Sequence, residues 1–352
     1  MDNNEKLKKL LSGVIHPETG KDIITSGIVE HIDVTDGKVS VTLNFPRQRD
    51  PFANSVKRQV TEAVLKVYPE AEGNISVIVK EGAPVKKQSP GETQSALGGI
   101  GKIIAVASGK GGVGKSTVTA NLAVTLTKMG YSVGILDADI YGPSQPKMFG
   151  VEGHEPQGLG KGDEQWLLPA ESQGIKIASI GFFIPQGEAL VWRGPMATSA
   201  LKQLIHQTLW EKLDFLLVDL PPGTGDVHLS IVSELKLDGA VIVSTPQQVA
   251  VADVKRGIKM FRSPGVDVPV LGIIENMAWF TPAELPQNRY YIFGKGGARE
   301  LAKEEKVDFL GDIPIIQSVM EGGEKGVPAA SADAATEKYY VEIARKIVKK
   351  LS

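Results

Sequence analysis

The chain has 352 residues, 42% of them hydrophobic, with 39 Lys and Arg against 41 Asp and Glu and no cysteine. That length and apolar content suffice for one large α/β domain and a smaller one. The balanced charge gives no electrostatic case for a nucleic-acid or acidic-surface partner, and the missing cysteine excludes disulfides and thiolate ligands from this chain. The opening MDNNEKLKKLL lacks the apolar run and cleavage site of a signal peptide. No stretch approaches the ~20 apolar residues of a membrane span. A cytoplasmic protein without a nucleic-acid or membrane partner is the expectation.

Apolar spacing predicts a helix over 5–15, and HPETGKDI reads as a turn. GIVEHIDVTDGKVSVTLNF reads as a hairpin joined at Asp36-Gly37, a strong turn dipeptide. Residues 53–67 (ANSVKRQVTEAVLKV) read as a helix and NISVIVK as a closing strand. Residues 1–81 thus form a small α+β domain. A stretch rich in Pro, Gly, Ser and Gln without apolar period follows, a linker over 82–101. From 102 to 352 the runs IIAVAS, SVGILD, IKIASI, FLLVD, GAVIVS, VPVLGIIEN and VDFLGDI read as buried strands. Helical stretches at 116–129, 197–212, 250–262, 296–305 and 333–351 separate most of them. The pattern is that of an α/β domain with a doubly wound, mostly parallel sheet.

Gly109-x4-Gly114-Lys115-Ser116 has the spacing of a phosphate-binding loop, follows the strand IIAVAS and opens a helix. Its glycines let backbone N–H groups converge on an anion, and the helix N-terminus adds partial positive charge. The expected nucleotide-binding set is Gly109, Lys110, Gly111, Gly112, Val113, Gly114, Lys115, Ser116 and Thr117. Lys115 meets the β- and γ-phosphates of ATP, Ser116 holds Mg²⁺ and Thr117 lies near the α-phosphate. FLLVDLPPGTGD ends an apolar strand in Asp219, placed to reach Mg²⁺, and Gly223 is suited to offer its N–H to the γ-phosphate. GILDADIYGPS puts Asp137 and Asp139 at the end of the strand after the loop's helix. One carboxylate can serve the Mg²⁺ shell and the other orient water; a loop-capping Asp pair is the plainer alternative.

Lys110 is a second lysine in the loop. KGGVGKST is the deviant Walker A pattern and resembles the MinD/ParA group of P-loop ATPases. The resemblance implies that Lys110 crosses a nucleotide-sandwich homodimer and touches the partner's phosphates, as an arginine finger does. DADIYGPSQPKMFG, VWRGPM, DFLLVDLPPGTGDVHL, STPQQVAVADVKRG, GIIENMAWF and RYYIFGKGG resemble the Mrp/ApbC-like branch, iron–sulfur cluster carrier ATPases. HPETGKDIITSGIV resembles the MIP18-like module often fused to them. The resemblance implies slow ATP hydrolysis, with Lys110, Lys115 and Asp139 catalytic, Ser116, Asp137 and Asp219 holding Mg²⁺, and Asn276 reading adenine. GDIPIIQSV, around Pro314, matches the loop that packs on the base. The implied partners are a second copy and apo-protein clients or assembly factors.

The match has a gap. In that branch a CxxC pair lies between ENM and YIFG, and the pairs of two subunits hold a bridging cluster. Here the stretch is AWFTPAELPQNRYY, and Glu284 is the only carboxylate in its loop, Thr281–Asn288. NFPRQRDPFANS likewise lacks the cysteine common near the second strand of the N-terminal module. An iron–sulfur cluster is therefore an expected cargo without identifiable ligands, and a nucleotide-switched MinD/ParA-like adaptor that binds no cluster is the alternative. The five histidines, His16, His31, His154, His206 and His228, lack metal-ligand spacing and read as surface or turn residues. Trp192, Trp210 and Trp279 read as core or interface, with Trp279 and Phe280 at a dimer seam or partner surface. The basic tail EKYYVEIARKIVKKLS reads as a packed last helix rather than a membrane-targeting one.

Overall fold

The computed structural model describes residues 7–8, 10–16, 21–35, 38–45, 52–68, 75–81, 96–159, 166–184 and 194–352. The chain forms two compact units, Met1–Thr93 and Gln94–Ser352.

In the first unit β1 (Val29–Thr35) pairs antiparallel with β2 (Lys38–Phe45), which pairs in parallel with β3 (Ile75–Glu81). Residues 7–8 and 10–11 are helical, and α1 (Ala53–Val67) coincides with the helix read from the sequence. Inward alternation along β2 buries Val39, Val41, Leu43 and Phe45 against Val56, Val60 and Val64 of α1 and against Leu7 and Leu11. His16 corrects the surface reading: it is buried, edge-on to Phe52 at 5.6 Å. The Asp36-Gly37 turn, residues 17–20 of HPETGKDI and residues 46–51 of NFPRQRDPFANS lie outside the described residues, as do 82–95 of the linker.

The second unit is built on an eight-stranded sheet. Its elements in chain order are β4 (Ile100–Ser108), α2 (Lys115–Lys128), β5 (Val133–Asp137), α3 (Gln145–Met148), the two-residue strands β6 (Gly158–Leu159) and β7 (Trp166–Leu167), β8 (Ala170–Ser172), β9 (Ile175–Ser179), α4 (Gly194–Gln207), β10 (Leu213–Asp219), α5 (Asp226–Glu234), β11 (Gly239–Ser244), α6 (Gln248–Phe261), β12 (Val270–Phe280), α7 (Gly297–Glu304), β13 (Phe309–Ile315), α8 (Gln317–Glu324) and α9 (Ala334–Leu351). The strand order is β13-β12-β11-β4-β10-β5-β9-β8, and every pairing but β8 with β9 is parallel. The doubly wound reading is borne out. The antiparallel edge β8, the β6–β7 pair and helices α3, α5 and α8 are additions, and β12 runs on to Phe280. VWRGPM is described only from Gly194 onward.

Alternate residues of β4 face opposite cores. Ile103, Ala105 and Ala107 pack with α4, α5, α6 and α7, while Ile104 and Val106 pack with α2 and α9. Helix α2 is buried along most of its length, and its polar side chains are satisfied in place. Thr119 and Thr125 donate to the carbonyls of Lys115 and Asn121, and Asn121 bonds Thr117 O and Ala330 N. The helix carrying the phosphate loop is thereby a fixed seat. Helix α9 buries Tyr340, Ile343, Ala344 and Ile347, so the tail is a packed last helix. Trp210 is wholly buried, and Trp279 is half-buried against Tyr339. No described helix is long and apolar enough to cross a membrane.

Candidate nucleotide site

Parallel pairing brings the expected site residues together. Strand β10 lies between β4 and β5, and its register sets Asp219 opposite Val106 on one side and opposite Asp137 on the other. Two carboxylates from distant sequence thus end side by side at the carboxyl edge of the sheet, where open α/β sheets bind ligands. The loop 109–114 leaves the adjacent strand at the same edge and turns into α2. Gly112 and Gly114 adopt φ of +78° and +83°, a region that favours glycine.

At the centre lies a buried ion cluster. The Lys115 ammonium is paired with Oδ1 of Asp219, lies 3.5 Å from Asp139 Oδ2 and donates to Ser116 Oγ at 3.1 Å. Burial pulls its pKa down, but Asp219, Asp139 and Asp137 outweigh this and the net shift is upward. Asp137 is fully buried; burial, with the charge of Asp219 beside it, pushes its carboxyl up to about 7. Its Oδ2 accepts from Ser179 Oγ at 2.9 Å and from Gln145 N at 3.1 Å. Asp139 is also raised, chiefly by burial, against the pull of Lys115. Its Oδ1 accepts from Tyr141 N at 3.2 Å.

Two cavities flank the loop. One, of about 230 Å³, is lined by 110–117 with Ser108, Asp139, Gly142 and Pro222. The other, of about 420 Å³, is mostly apolar and runs from Gly114 and Thr117 past Asn276 and Met277 to Ile313, Pro314, Ile316 and Met320. A phosphate cradle next to an apolar slot with one amide is the shape of a nucleotide site. Asn276 Nδ2 donates to Val113 O at 2.9 Å, which ties one of its two N–H groups to the loop.

Two expected donors are differently engaged. Gly223 donates its N–H to Ser108 O at 3.0 Å and does not line the cradle. Lys110 Nζ lies 3.4 Å from Gln247 Oε1 at the start of α6, at the rim of the cradle. His228 corrects the surface reading of the histidines: it is buried on α5, its imidazole pushed down to about 4 by burial. Sequence reasoning also passed over Gln145, Ser179 and Glu275. The Glu275 carboxylate accepts from Gly296 N at 3.2 Å and Ala298 N at 2.8 Å, holding the start of α7; burial raises its pKa. The only signals for the first two were the place of Gln145 in the segment after the DAD turn and that of Ser179 at the end of β9.

Residues 99–350 match the family described as NUBPL iron-transfer P-loop NTPase. The chain belongs to that family. Residues 4–77 match a second family, described as iron-sulfur cluster assembly protein. An iron-sulfur cluster carrier protein of Synechocystis is 40% identical over 345 residues, covering 97% of this chain and 96% of the relative. Another, of Aquifex aeolicus, is 46% identical and covers 90% of each chain. Among solved structures, a nucleotide-binding protein of Archaeoglobus fulgidus in complex with ADP is 43% identical, with a TM-score of 0.57 over 66% of this chain and 88% of that one. The cell division ATPase MinD of Pyrococcus furiosus, at 24% identity, shares the fold, with a TM-score of 0.52 over 72% of this chain and all of that one. The chain is thus a member of the family its motifs resemble, with a nucleotide-binding P-loop domain. Its site residues stand in one cluster apart from Lys110, Gly223 and Asn276, which border it.

Proposed function

We propose that the chain is a Mg²⁺-dependent ATPase that acts as a nucleotide-gated homodimer in iron–sulfur cluster delivery. The observation that carries this reading is the meeting of Lys115, Asp137, Asp139 and Asp219 beneath the phosphate loop, in a member of an iron-transfer family.

The donors fit Mg²⁺. Ser116 hydroxyl, Asp219 and Asp137 offer only oxygen, and Mg²⁺ favours one or two carboxylates completed by substrate phosphates. Bound there, Mg²⁺ supplies positive charge against the phosphate oxygens. Three carboxylates face the Lys115 ammonium, a surplus of negative charge that such a cation relieves. Lys115 draws the β- and γ-phosphates into the cradle. Asp139, raised by burial, is a better proton acceptor than an ordinary carboxylate and orients the attacking water. Lys110, at the rim, would exchange its 3.4 Å contact with Gln247 for the partner's phosphates. Turnover is slow and times closure of the dimer, and the clients are apo-proteins or assembly factors.

The cluster is cargo, and this chain's residues do not fit it as ligands. Cysteine is absent from the sequence, and iron–sulfur clusters are held by thiolates, which oxygen ligands such as those of the Mg²⁺ site do not replace. Its thiolates must come from the client, an assembly factor or a small thiol. The missing thiolates also favour a second reading, a nucleotide-switched adaptor that binds no cluster. Anaerobic reconstitution with iron and sulfide, with and without added thiol, separates the two by bound iron and visible absorption. Iron retained only with thiol supports a carrier with borrowed ligands, and none under any condition leaves the adaptor.

A further inference from the structure

Gln145 opens α3, six residues beyond Asp139, and is wholly buried (0% exposed). Its Nε2 donates to two acceptors at once, Asp219 Oδ2 at 2.7 Å and the Ser116 carbonyl at 3.1 Å. Its backbone N–H donates to Asp137 Oδ2 at 3.1 Å. One residue therefore ties together the ends of β5 and β10 and the first turn of α2. The amide orientation follows from chemistry, because both partners of Nε2 are acceptors only and a flipped amide would set oxygen against carboxylate. The remaining atom, Oε1, is buried and has no hydrogen-bond partner among the described residues. Native proteins leave few such atoms, and one beside a ligand site calls for a partner such as a water or a ligand.

The two oxygens of Asp219 are held differently. Oδ1 is shared by Lys115 and, at 3.4 Å, by Thr119 Oγ1. A divalent cation can displace the ammonium there. Oδ2 is held by an amide inside the core. We propose that Gln145 is a positioning residue of the metal–nucleotide site: it clamps Oδ2 of Asp219 so that Oδ1 faces the cation, and its Oε1 accepts a hydrogen bond from water that arrives with the cation. The inference rests on the reading of this site as one for Mg²⁺ and nucleotide. It also makes the segment 139–148 sensitive to the cation, because the residue that orients Asp219 is anchored to Asp137 by its own backbone.

The test is binding, not turnover. Affinity for ADP is measured with excess EDTA and with Mg²⁺ on the full-length protein, on Gln145→Leu and on Gln145→Met. Met matches the length of glutamine without donors, so it is the reading to use where Leu does not fold. Loss of one charge-assisted hydrogen bond corresponds to about 10- to 100-fold in an equilibrium. The variants, which also lose the bond to the Ser116 carbonyl, are expected to bind ADP in EDTA somewhat more weakly than wild type and, beyond that, to lose at least about tenfold of the tightening that Mg²⁺ gives. A merely structural role would weaken both affinities alike; that result, or a tightening kept intact, overturns the inference. A wild-type protein without any Mg²⁺ effect overturns the metal-site reading itself, and this inference with it. The unmutated protein gives an independent check. The Gln145 side-chain amide resonances should be protected from exchange and should move when Mg²⁺ is added to the ADP complex. Unmoved resonances likewise overturn the inference.

Discussion

Gly114 and Gly112 share a left-handed backbone but not a neighbourhood, and this makes a controlled pair. An ideal Cβ on Gly112 meets nothing within 4 Å, whereas one on Gly114 would stand 2.3 Å from Asn276 Nδ2. Placing alanine at φ near +80° costs about 1–2 kcal/mol at either position. The smaller entropy of the unfolded alanine chain offsets part of this equally at both and cancels in the comparison. At Gly114 the Asn276 side chain must also move and give up its 2.9 Å bond to Val113 O. Breaking a buried hydrogen bond and stranding its acceptor adds about 1–3 kcal/mol. Gly114→Ala should therefore destabilise the second unit by about 2–5 kcal/mol and Gly112→Ala by about 1–2. Urea unfolding followed by tryptophan fluorescence reads this unit alone, because the chain's 4 tryptophans all lie beyond residue 94. In an Asn276→Ala background the Gly114 substitution should fall back to the Gly112 value. Equal losses at the two glycines, or no coupling to Asn276, would refute the account of Asn276 as a brace of the phosphate loop.

The other expectations concern charge. Lys110→Ala should bind ATP normally and lose turnover and ATP-dependent dimerisation, measured by phosphate release and light scattering; if both persist, the trans-acting lysine is wrong. Asp139→Ala should bind ATP and accumulate as the closed dimer, and unchanged hydrolysis would remove its role as the water-orienting group. His228 sets a pH dependence. Burial lowers its folded pKa from 6.5 to about 4, so the folded state favours the neutral ring. Its contribution is fully present above about 6.5 and is lost as pH falls towards 4, a span worth about 3 kcal/mol. His228→Gln should flatten the acid limb of stability against pH between those values, and an unchanged limb would assign the loss to other groups.

The phosphate loop was legible because its chemistry demands glycine, lysine and a hydroxyl at fixed spacing. The strands were legible because burial on both faces leaves unbroken runs such as GAVIVS. Helix α8 was not, since QSVMEGGE carries two glycines in its last turn that signal a loop. Nor were β6 and β7, whose two residues each show no periodicity. Asp137 and Asp219 could be named separately, but their adjacency is a fact of strand order, set when β10 enters between β4 and β5. Gln145, Ser179 and Glu275 escaped for one reason. A polar residue in a loop or at a strand end reads as solvated until tertiary packing closes over it, and only then must it find partners. The same blindness put His16 and His228 on the surface.

The engagement of Gly223 and the missing cysteines bear on how this family's chemistry can run in this chain. Gly223 spends its N–H on Ser108, one residue before the phosphate loop, so the segment after Asp219 is tethered to the strand that carries the loop. Asn276 and Glu275 are neighbours on β12 and face opposite ways, as successive strand residues must. Asn276 grips the loop at Val113; Glu275 grips Gly296 and Ala298, at the far end of the segment that lacks the cysteines. A ligand that shifts Val113 would act first on Asn276, which stands on the strand that anchors that segment. A chain of this build can time an event at residues 281–296 by nucleotide without supplying the thiolates itself. On the proposed carrier reading the division of labour is between a nucleotide-driven scaffold in this chain and soft ligands supplied from outside it, which is why the iron reconstitution with added thiol discriminates more sharply than any substitution within the loop.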